Sequence, residues 1–333
     1  MKRKIIKQGH NTLTLTLPNA WVKKLNLKGG DEIDIVECEN SLLINAKENS
    51  APKHFEIDIR NFSVPLLWRY FQGAYRSGCD EIKIYFDPAK REYEDAYHYY
   101  TSQFEYARLG EKIPPKPAIA MIQEVTNRFI GVDVVETGKN YCLVKEMAEV
   151  TVKEFENSLR RIFLSILQIF DRIMESIEKN QINTPSLCKE IHTMDLTIDK
   201  LVDYCARILS KISGQIPDRK KPTIFSSLFI LELLGDEFKY IGKHIALSKK
   251  PIKDILKMTK MIKEHFELYY RLYYSFSREN TMALGDHDTK IYGYFYSAKN
   301  SIRGESRSIL AHLMNISKYV LVLAELRIQQ ELE

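Results

Sequence analysis

Two pairs of acidic residues in the C-terminal half of the chain have the spacing of one helical turn. Asp195 and Asp199 form the first pair, and Glu232 and Asp236 form the second. Residues at positions i and i+4 lie on one face of a helix, about 5–6 Å apart. Carboxylates at that spacing repel each other, so a helix tolerates them where they face water or where a cation lies between them.

The surroundings of Glu232 favour a cation. It is the only charged residue between Lys221 and Asp236, inside the apolar segment IFSSLFILELLG. Burying a carboxylate there is costly unless it is paired. If the two pairs lie on adjacent antiparallel helices, the four carboxylates predict an oxygen-rich site for iron, manganese, magnesium or calcium. His244, two helical turns after Asp236, could join this site from the same face.

A structural salt bridge is the alternative that the spacing leaves open. Acidic pairs at i and i+4 are common on helices that bind no metal. For Asp195 and Asp199, which flank an apolar stripe, a position at a helix–helix boundary explains the pair without a ligand. For Glu232 the candidate partners are Arg160, Arg161 and Lys200.

The elements that must position these pairs are long helices. Thr151, with Glu154 three residues later, has the pattern of a capping box, and Thr184-Pro185 has the pattern of a helix start. Hydrophobic periodicity predicts helices over 152–179, from 185 to about 212, and over 223–248 and 253–278, then a loop at 281–286 and one or two further helices. Long helices joined by short loops indicate an antiparallel bundle.

The first 45 residues predict short β-strands instead. Segment 12–17 alternates threonine with leucine, as a half-buried strand does, and the turn residues Gly9-His10-Asn11 precede it. A short helix is predicted over 19–25, capped by Asn19, followed by a hairpin of strands over 32–37 and 42–44. Strands this short cannot bury both faces in a single copy, so a second copy of the chain is expected.

Between these two parts lies a region of mixed predicted structure with no chemistry motif. Strands are predicted over 54–59 and 81–86, helices over 64–76, 89–108 and 119–128, and a hairpin over 129–136 and 141–145. This pattern is typical of a small α+β domain.

Positive charge is concentrated at the N-terminus. Residues 1–30 contain no Asp or Glu, and their basic residues are Lys2, Arg3, Lys4, Lys7, Lys23, Lys24 and Lys28. Such a segment favours a polyanionic partner, and a solvated basic terminus is the alternative.

The composition favours a reduced compartment without a membrane span. The 5 cysteines are scattered, with no C-x-x-C pair, which argues against a disulfide framework and a zinc knuckle. No uncharged apolar stretch reaches the roughly 20 residues of a membrane span, and the basic N-terminus has no apolar segment behind it. We therefore expect a cytoplasmic protein.

The N-terminal segment KIIKQGHNTLTLTLPNAWVKKLNLKGGDEIDIV resembles the AbrB/SpoVT family, whose swapped-hairpin β-barrel binds DNA. The resemblance rests on the turn after Gly9, the strand that ends at Leu17-Pro18, the amphipathic segment WVKKL and the turn KGGDE. It implies a homodimer, and it implies that Lys4, Lys7, Lys23 and Lys24 contact DNA phosphates.

The helical half resembles PhoU, a family of three-helix repeats in which acid-x-x-x-acid motifs hold a multinuclear metal cluster. Asp195 and Asp199 match the first motif, and LELLGDEFKYIGKHI matches the second. Leu233 stands where that motif usually has arginine, and Tyr240-Ile241-Gly242 replaces its asparagine segment. In the second repeat, residues 312–318 lack the acids. The resemblance therefore implies one metal site, formed by Asp195, Asp199, Glu232 and Asp236.

Together these patterns predict a multi-domain protein with a swapped-hairpin β-barrel over 1–47, a small α+β domain over 53–147, and an all-α bundle of three-helix repeats over 151–249 and 252–333. The predicted function is a DNA-binding regulator of phosphate homeostasis that senses through a metal cation. A phosphate-transporter ATPase or a sensor kinase is the expected protein partner. The alternative is an adaptor that docks on such a partner and uses the β-module only for dimerisation. No enzyme is expected, because the sequence has no Ser/His/Asp order, Gly-rich phosphate loop or metalloprotease helix motif.

Overall fold

The chain divides into two compact units, residues 1–51 and 52–333. A computed structural model describes residues 2–38, 41–46, 52–89, 116–181, 185–212 and 215–332. The predicted middle domain and helical half thus belong to one unit, and its further division at 147 and 249 stays a prediction.

The N-terminal module consists of two short hairpins and one helix. In chain order these are β1 (Ile6–Gln8), β2 (Thr12–Thr14), α1 (Asn19–Lys24), β3 (Ile33–Cys38) and β4 (Ser41–Ala46). β1 pairs with β2 and β3 with β4, both antiparallel. Gly9 at φ +77° and Gly30 at φ +100° take the left-handed backbone conformation that their turns require.

Two details of this module differ from the prediction. β2 ends at Thr14 rather than Leu17, because its partner strand extends only from Ile6 to Gln8. The capping role predicted for Asn19 is wrong. Pro18 occupies the N-cap position, and its carbonyl oxygen accepts hydrogen bonds from the backbone of Trp21 and Val22 at 2.9 and 3.0 Å.

The described side chains of the module form no core of their own. None of its described side chains is buried, and several apolar side chains are largely exposed, including Leu13 at 66%, Ile35 at 57% and Leu42 at 62%. In the β3–β4 register, Ile35 lies opposite Ile44 and Leu42 lies opposite Glu37, so Ile35, Leu42 and Ile44 share one face of the hairpin. An apolar face of this kind is stable in water only when a second surface covers it.

The second unit begins with a two-layer α+β region. It contains β5 (His54–Asp58), α2 (Val64–Arg76), β6 (Glu81–Tyr85), α3 (Ala118–Thr126), β7 (Val132–Thr137) and β8 (Tyr141–Glu146). The sheet order is β5-β6-β8-β7, with β5 and β6 parallel and the other pairs antiparallel. Alternate strand residues such as Ile57, Ile82, Ile84 and Val144 are buried, and α2 packs beside this core through Phe71 and Tyr75. The helix predicted over 89–108 lies outside the described residues.

Six long helices complete the second unit. They are α4 (Val152–Glu178), α5 (Pro185–Lys211), α6 (Lys221–Leu247), α7 (Leu256–Tyr274), α8 (Arg278–Ala298) and α9 (Glu305–Leu332). α5 packs against both α4 and α6, while α9 packs against α6 and α7, and α8 packs against α7. No strand occurs among the described residues after 151. The helices share a core that includes Phe163, Phe170, Phe238 and Phe266.

The helix boundaries confirm one predicted signal and correct another. Thr151 and Glu154 form the capping box at the start of α4, whereas Thr184 lies outside the described residues. The loop predicted at 281–286 is wrong, because α8 runs through it. The break falls earlier, at Ser277, whose hydroxyl accepts a hydrogen bond from the backbone of Asn280 at 3.1 Å and caps α8.

α9 is long and apolar enough to cross a membrane by length and composition. Half of its apolar stretch is buried in the helical core, where it packs against α6 and α7. A core helix of a helical bundle has the same composition.

We predict that the exposed face of the β3–β4 hairpin is covered by a second copy of the chain. Replacing Ile35 and Leu42 by Asp places two charges on that face, so the double variant should be monomeric. Light scattering after gel filtration measures this, with the wild type expected as a dimer. Met282→Asp, at an equally exposed apolar residue of α8, is the control and should leave the dimer intact. A dimeric Ile35→Asp/Leu42→Asp variant would contradict the prediction.

Candidate functional site

The structure brings parts of both acidic pairs to the interface of α5 and α6. Asp195 on α5 is fully buried, whereas Asp236 on α6 is 44% exposed. The two are bridged by Lys239, whose Nζ lies 3.0 Å from Asp195 Oδ2 and 2.5 Å from Asp236 Oδ1. The cation at the centre of this arrangement is therefore an ammonium group from the chain itself.

Small residues allow α5 and α6 to approach this closely. A Cβ atom at Gly235 would overlap Asp195 Oδ1. Further along α6, a Cβ atom at Gly242 would lie 2.9 Å from Ile191 Cδ1. A larger side chain at Gly235 would displace the Asp195 carboxylate, and one at Gly242 would displace the Ile191 side chain.

Glu232 binds a second cation, which comes from the α+β region. Arg76, the last residue of α2, places its Nη2 3.0 Å from Glu232 Oε2 and its Nε on Asp203 Oδ1. The same guanidinium lies 4.6 Å from the centre of the Phe229 ring. The partner of Glu232 in the structure is thus Arg76, not Arg160, Arg161 or Lys200.

Asp203 enlarges the cluster beyond the four predicted carboxylates. It lies on α5 one turn after Asp199, is almost fully buried, and accepts a hydrogen bond from Gln72 Nε2 at 3.1 Å. Burial raises the pKa of Asp203 to about 6, although the charge of Arg76 opposes this shift. The carboxylates of α5 therefore form a row at positions 195, 199 and 203.

Burial also dominates the charge states of the other groups. It raises the pKa of Asp195 to about 6 against the opposing effect of Lys239. It raises the pKa of Asp199 well above its usual range, and the charge of Asp195 adds to the shift. Burial lowers the pKa of Lys239, but Asp195 and Asp236 more than offset this and leave it raised, so the ammonium stays charged.

Two further basic residues of α5 hold the α+β region. Arg207, 1% exposed, donates to the backbone carbonyl of Tyr75 at 3.0 Å, and its Nη2 lies 2.9 Å from Glu146 Oε1. Lys211 Nζ lies 2.6 Å from Asp80 Oδ1 and also contacts Glu146. One face of α5 thus carries first acids and then bases, and Asp203, Arg207 and Lys211 of this face contact the α+β region.

His244 does not join the acidic cluster. Its Nδ1 lies 2.6 Å from Glu305 Oε2, at the start of α9. His312, in the segment that lacks the second acidic motif, pairs through Nδ1 with Glu237 Oε2 at 2.6 Å. The contacts between α6 and α9 therefore use histidine–carboxylate pairs in place of a second set of acidic pairs.

The donors here are of the type that a hard metal ion prefers, but Lys239 already places a cation between Asp195 and Asp236. Asp195 Oδ1 is buried with no hydrogen-bond donor, and the donors are carboxylate oxygens of the kind that hard cations prefer. Among the described residues, no three His, Cys, Asp or Glu side chains stand close enough together to hold a metal ion. The residues that would hold it are Asp195, Asp199, Glu232 and Asp236, and the metal site stays a prediction.

The predicted DNA-contacting residues are all exposed. Lys23 and Lys24 lie in the last turn of α1, Lys7 lies in β1, and Lys4 precedes it. Their exposure leaves these side chains free to reach a polyanion, and their role in DNA binding stays a prediction.

Sequence reasoning missed three residues of the cluster. Asp203 continues the i, i+4 spacing of Asp195 and Asp199, so the pattern contained it. Lys239 follows Asp236 by three residues on the same helix, which also places it within reach. Arg76 has no such signal, because it lies more than a hundred residues away from both of its partners.

Comparisons with known proteins found one family match and one similar solved structure. Residues 6–53 match the family described as antidote-toxin recognition MazE, bacterial antitoxin. No curated protein matches the chain. Among solved structures, the phosphate transport system regulatory protein PhoU from Streptococcus pneumoniae is similar at 19% identity with a TM-score of 0.40, covering 53% of this chain and 96% of that one. The N-terminal module is thus similar to the MazE family over residues 6–53.

We predict that Arg76→Gln destabilises the second unit strongly. Asp203 would remain buried next to a neutral side chain, and breaking a buried pair from one side costs about 3–5 kcal/mol. The free energy of unfolding in urea measures this. Adding Asp203→Asn should recover part of the loss, because the uncompensated charge is then removed. The control is Arg60→Gln, since Arg60 pairs with Asp58 at the exposed surface. A loss below about 1 kcal/mol for Arg76→Gln, the range of surface pairs, would contradict the prediction.

We also predict that Asp203 makes the second unit more stable as the pH falls from about 7.5 to about 5. Its pKa is about 6 in the folded protein against 3.8 ordinarily, so the folded state binds the proton more tightly. This contribution is complete below the lower value and is lost as the pH rises through the higher one. Asp203→Asn should therefore gain less free energy of unfolding over this range than the wild type. The exposed Asp218→Asn is the control, and an equal gain in the wild type and Asp203→Asn would refute the assignment.

Proposed function

We propose that the protein is a cytoplasmic, DNA-binding regulator of phosphate uptake whose helical half senses through the carboxylate cluster. The observation that carries the DNA part is the match of residues 6–53 to the MazE family, in a module whose basic residues are exposed. Families of this kind are regulatory, so no catalytic role is proposed.

The first 30 residues of the N-terminal module carry positive charge and contain no Asp or Glu. Lys23 and Lys24 close α1, where the C-terminal end of the helix also favours basic side chains. A second copy of the module would repeat Lys4, Lys7, Lys23 and Lys24 and double the positive surface. Lysines bind phosphates as point charges and read few base edges, so we expect affinity that falls steeply with salt and specificity that depends on DNA shape.

The sensing part rests on the acidic motifs of α5 and α6 and on their resemblance to PhoU. In this proposal a divalent or trivalent cation binds among Asp195, Asp199, Glu232 and Asp236. When bound, such a cation supplies concentrated positive charge and draws the carboxylates together. Arg76 supports a sensing role, because it ties Glu232 to α2 and so links the cluster to the α+β region. A phosphate-transporter ATPase or a sensor kinase is the proposed protein partner of the helical half.

A second candidate is an adaptor that binds no DNA. The matched family is described by its recognition of a protein toxin, so a module of this kind can also serve protein contacts. In that case the module would only dimerise, and the helical half would dock on the transporter or kinase. The two candidates differ in whether the basic residues of the module are needed for a DNA complex.

We predict that Lys23→Ala/Lys24→Ala weakens binding to duplex DNA and lowers its salt dependence. An electrophoretic shift with a mixed-sequence duplex of about 30 base pairs at low salt measures this, followed by a salt titration. Each lost phosphate contact should reduce the slope of log affinity against log salt by about 0.9. The matched control is Lys249→Ala/Lys250→Ala, which removes an adjacent pair of exposed lysines from the second unit. If both double variants retain DNA as the wild type does, the DNA-binding proposal fails and the adaptor is favoured.

A further inference from the structure

The charges of the cluster do not balance within the described contacts. Five carboxylates gather along α5 and α6, at Asp195, Asp199, Asp203, Glu232 and Asp236. Two basic side chains pair with them, Lys239 with Asp195 and Asp236, and Arg76 with Asp203 and Glu232. Asp199 makes neither of these pairs. The two basic side chains also divide the cluster, because each bridges a different pair of acids from α5 and α6.

We infer that Lys239 is a tethered cation that occupies the metal position of the cluster and competes with any metal ion for it. This inference rests on the proposed cation site and adds its regulation. The ammonium contacts one carboxylate from each helix, at 3.0 and 2.5 Å, which is the bridging role that a metal ion would have. Both cannot be in place together, because their like charges would lie within a few ångströms of each other.

The position of Lys239 on α6 explains why it competes well. It follows Asp236 by three residues, so its stem lies on the same helix face as the carboxylate it binds. Its side chain is 27% exposed, and it bonds to Asp195, which is fully buried. A ligand held on the same chain acts at a high effective concentration, which a free cation has to exceed.

Competition of this kind sets a threshold for the cation. A metal ion gains the oxygens of Asp195 and Asp236 only when the ammonium leaves, and the flexible lysine stem can move toward solvent through the exposed side of Asp236. Arg76 reaches Asp203 and Glu232 from α2, so it does not occupy the position between Asp195 and Asp236. Lys239 therefore lowers the affinity of the site for a metal ion. Arg76 connects the neighbouring acids to the α+β region.

The test is Mn²⁺ binding to the purified full chain, followed by calorimetry and by elemental analysis after dialysis. Lys239→Gln removes the competing charge, so it should bind Mn²⁺ at least about tenfold more tightly than the wild type. Lys239→Arg keeps the charge and should bind no more tightly than the wild type. Adding Glu232→Gln/Asp236→Asn to Lys239→Gln should abolish the gain, which assigns it to this site.

Lys263→Gln is the matched control. Lys263 also bridges two carboxylates, Asp171 at 2.7 Å and Glu267 at 3.3 Å, and its side chain is 23% exposed. It lies on α7, away from the acidic cluster, so its loss should leave Mn²⁺ affinity unchanged. A gain as large as that of Lys239→Gln would show a general charge effect and overturn the inference.

Folding of Lys239→Gln has its own readout, because the variant leaves Asp195 buried without its cation. Its unfolding temperature should be below that of the wild type in metal-free buffer and should rise more than that of the wild type when Mn²⁺ is added. Equal Mn²⁺ affinity in the wild type and Lys239→Gln would overturn the tethered-cation inference and leave the proposed sensing site standing. If neither protein binds Mn²⁺, the inference and the cation-sensing proposal both fail, while DNA binding is decided separately by the gel shift.

Discussion

The second unit depends on the neutralisation of carboxylates that its helices bury. Asp195 and Asp203 are almost completely withdrawn from water, and each has one cation within hydrogen-bond distance. Lys239 comes from the neighbouring helix and Arg76 from the α+β region. The elements that pack against α5 therefore also supply the positive charges that its carboxylates need. A buried carboxylate without a partner would cost more than most single packing contacts contribute.

This constraint explains why the α+β region and the helical half form one unit. α2 ends in Arg76 at the acidic part of α5, and the basic part of α5 returns two contacts through Arg207 and Lys211. The contact between α5 and the α+β region therefore contains ion pairs of both polarities. An acid of α5 pairs with Arg76, and two bases of α5 pair with acids of the α+β region. Arg76 thus places the acidic cluster in direct contact with the end of α2.

In the N-terminal module the unmet requirement is the burial of apolar side chains rather than the neutralisation of charge. Its short strands form correct hairpin registers, yet they leave Leu13, Ile35 and Leu42 exposed. Hydrogen bonds within each hairpin are satisfied locally, but an apolar core needs more surface than about 45 residues of short strands provide. In the predicted dimer, a second copy of the module would supply this surface and would repeat its lysines.

Elements with strong local signals are predictable from the amino-acid sequence alone. The capping box at Thr151, the helix that ends at Arg76, the hairpin turn at Gly9 and the turn before β3 at Gly30 follow from side chains and backbone preferences within a few residues. The i, i+4 spacing likewise placed Asp195 and Asp199 on one helix face. Where local signals were weak, as at residues 281–286, the core decided and the helix continued.

The pairing of the buried acids with their basic partners depends on tertiary packing. Glu232 lies 156 residues from Arg76 in sequence, and no periodicity connects residues so far apart. Lys239 was near in sequence, but its contact with Asp195 requires the close approach of α5 and α6 that Gly235 permits. Spacing along a helix determines which side chains share a face, whereas the packing of one element on another determines what that face meets.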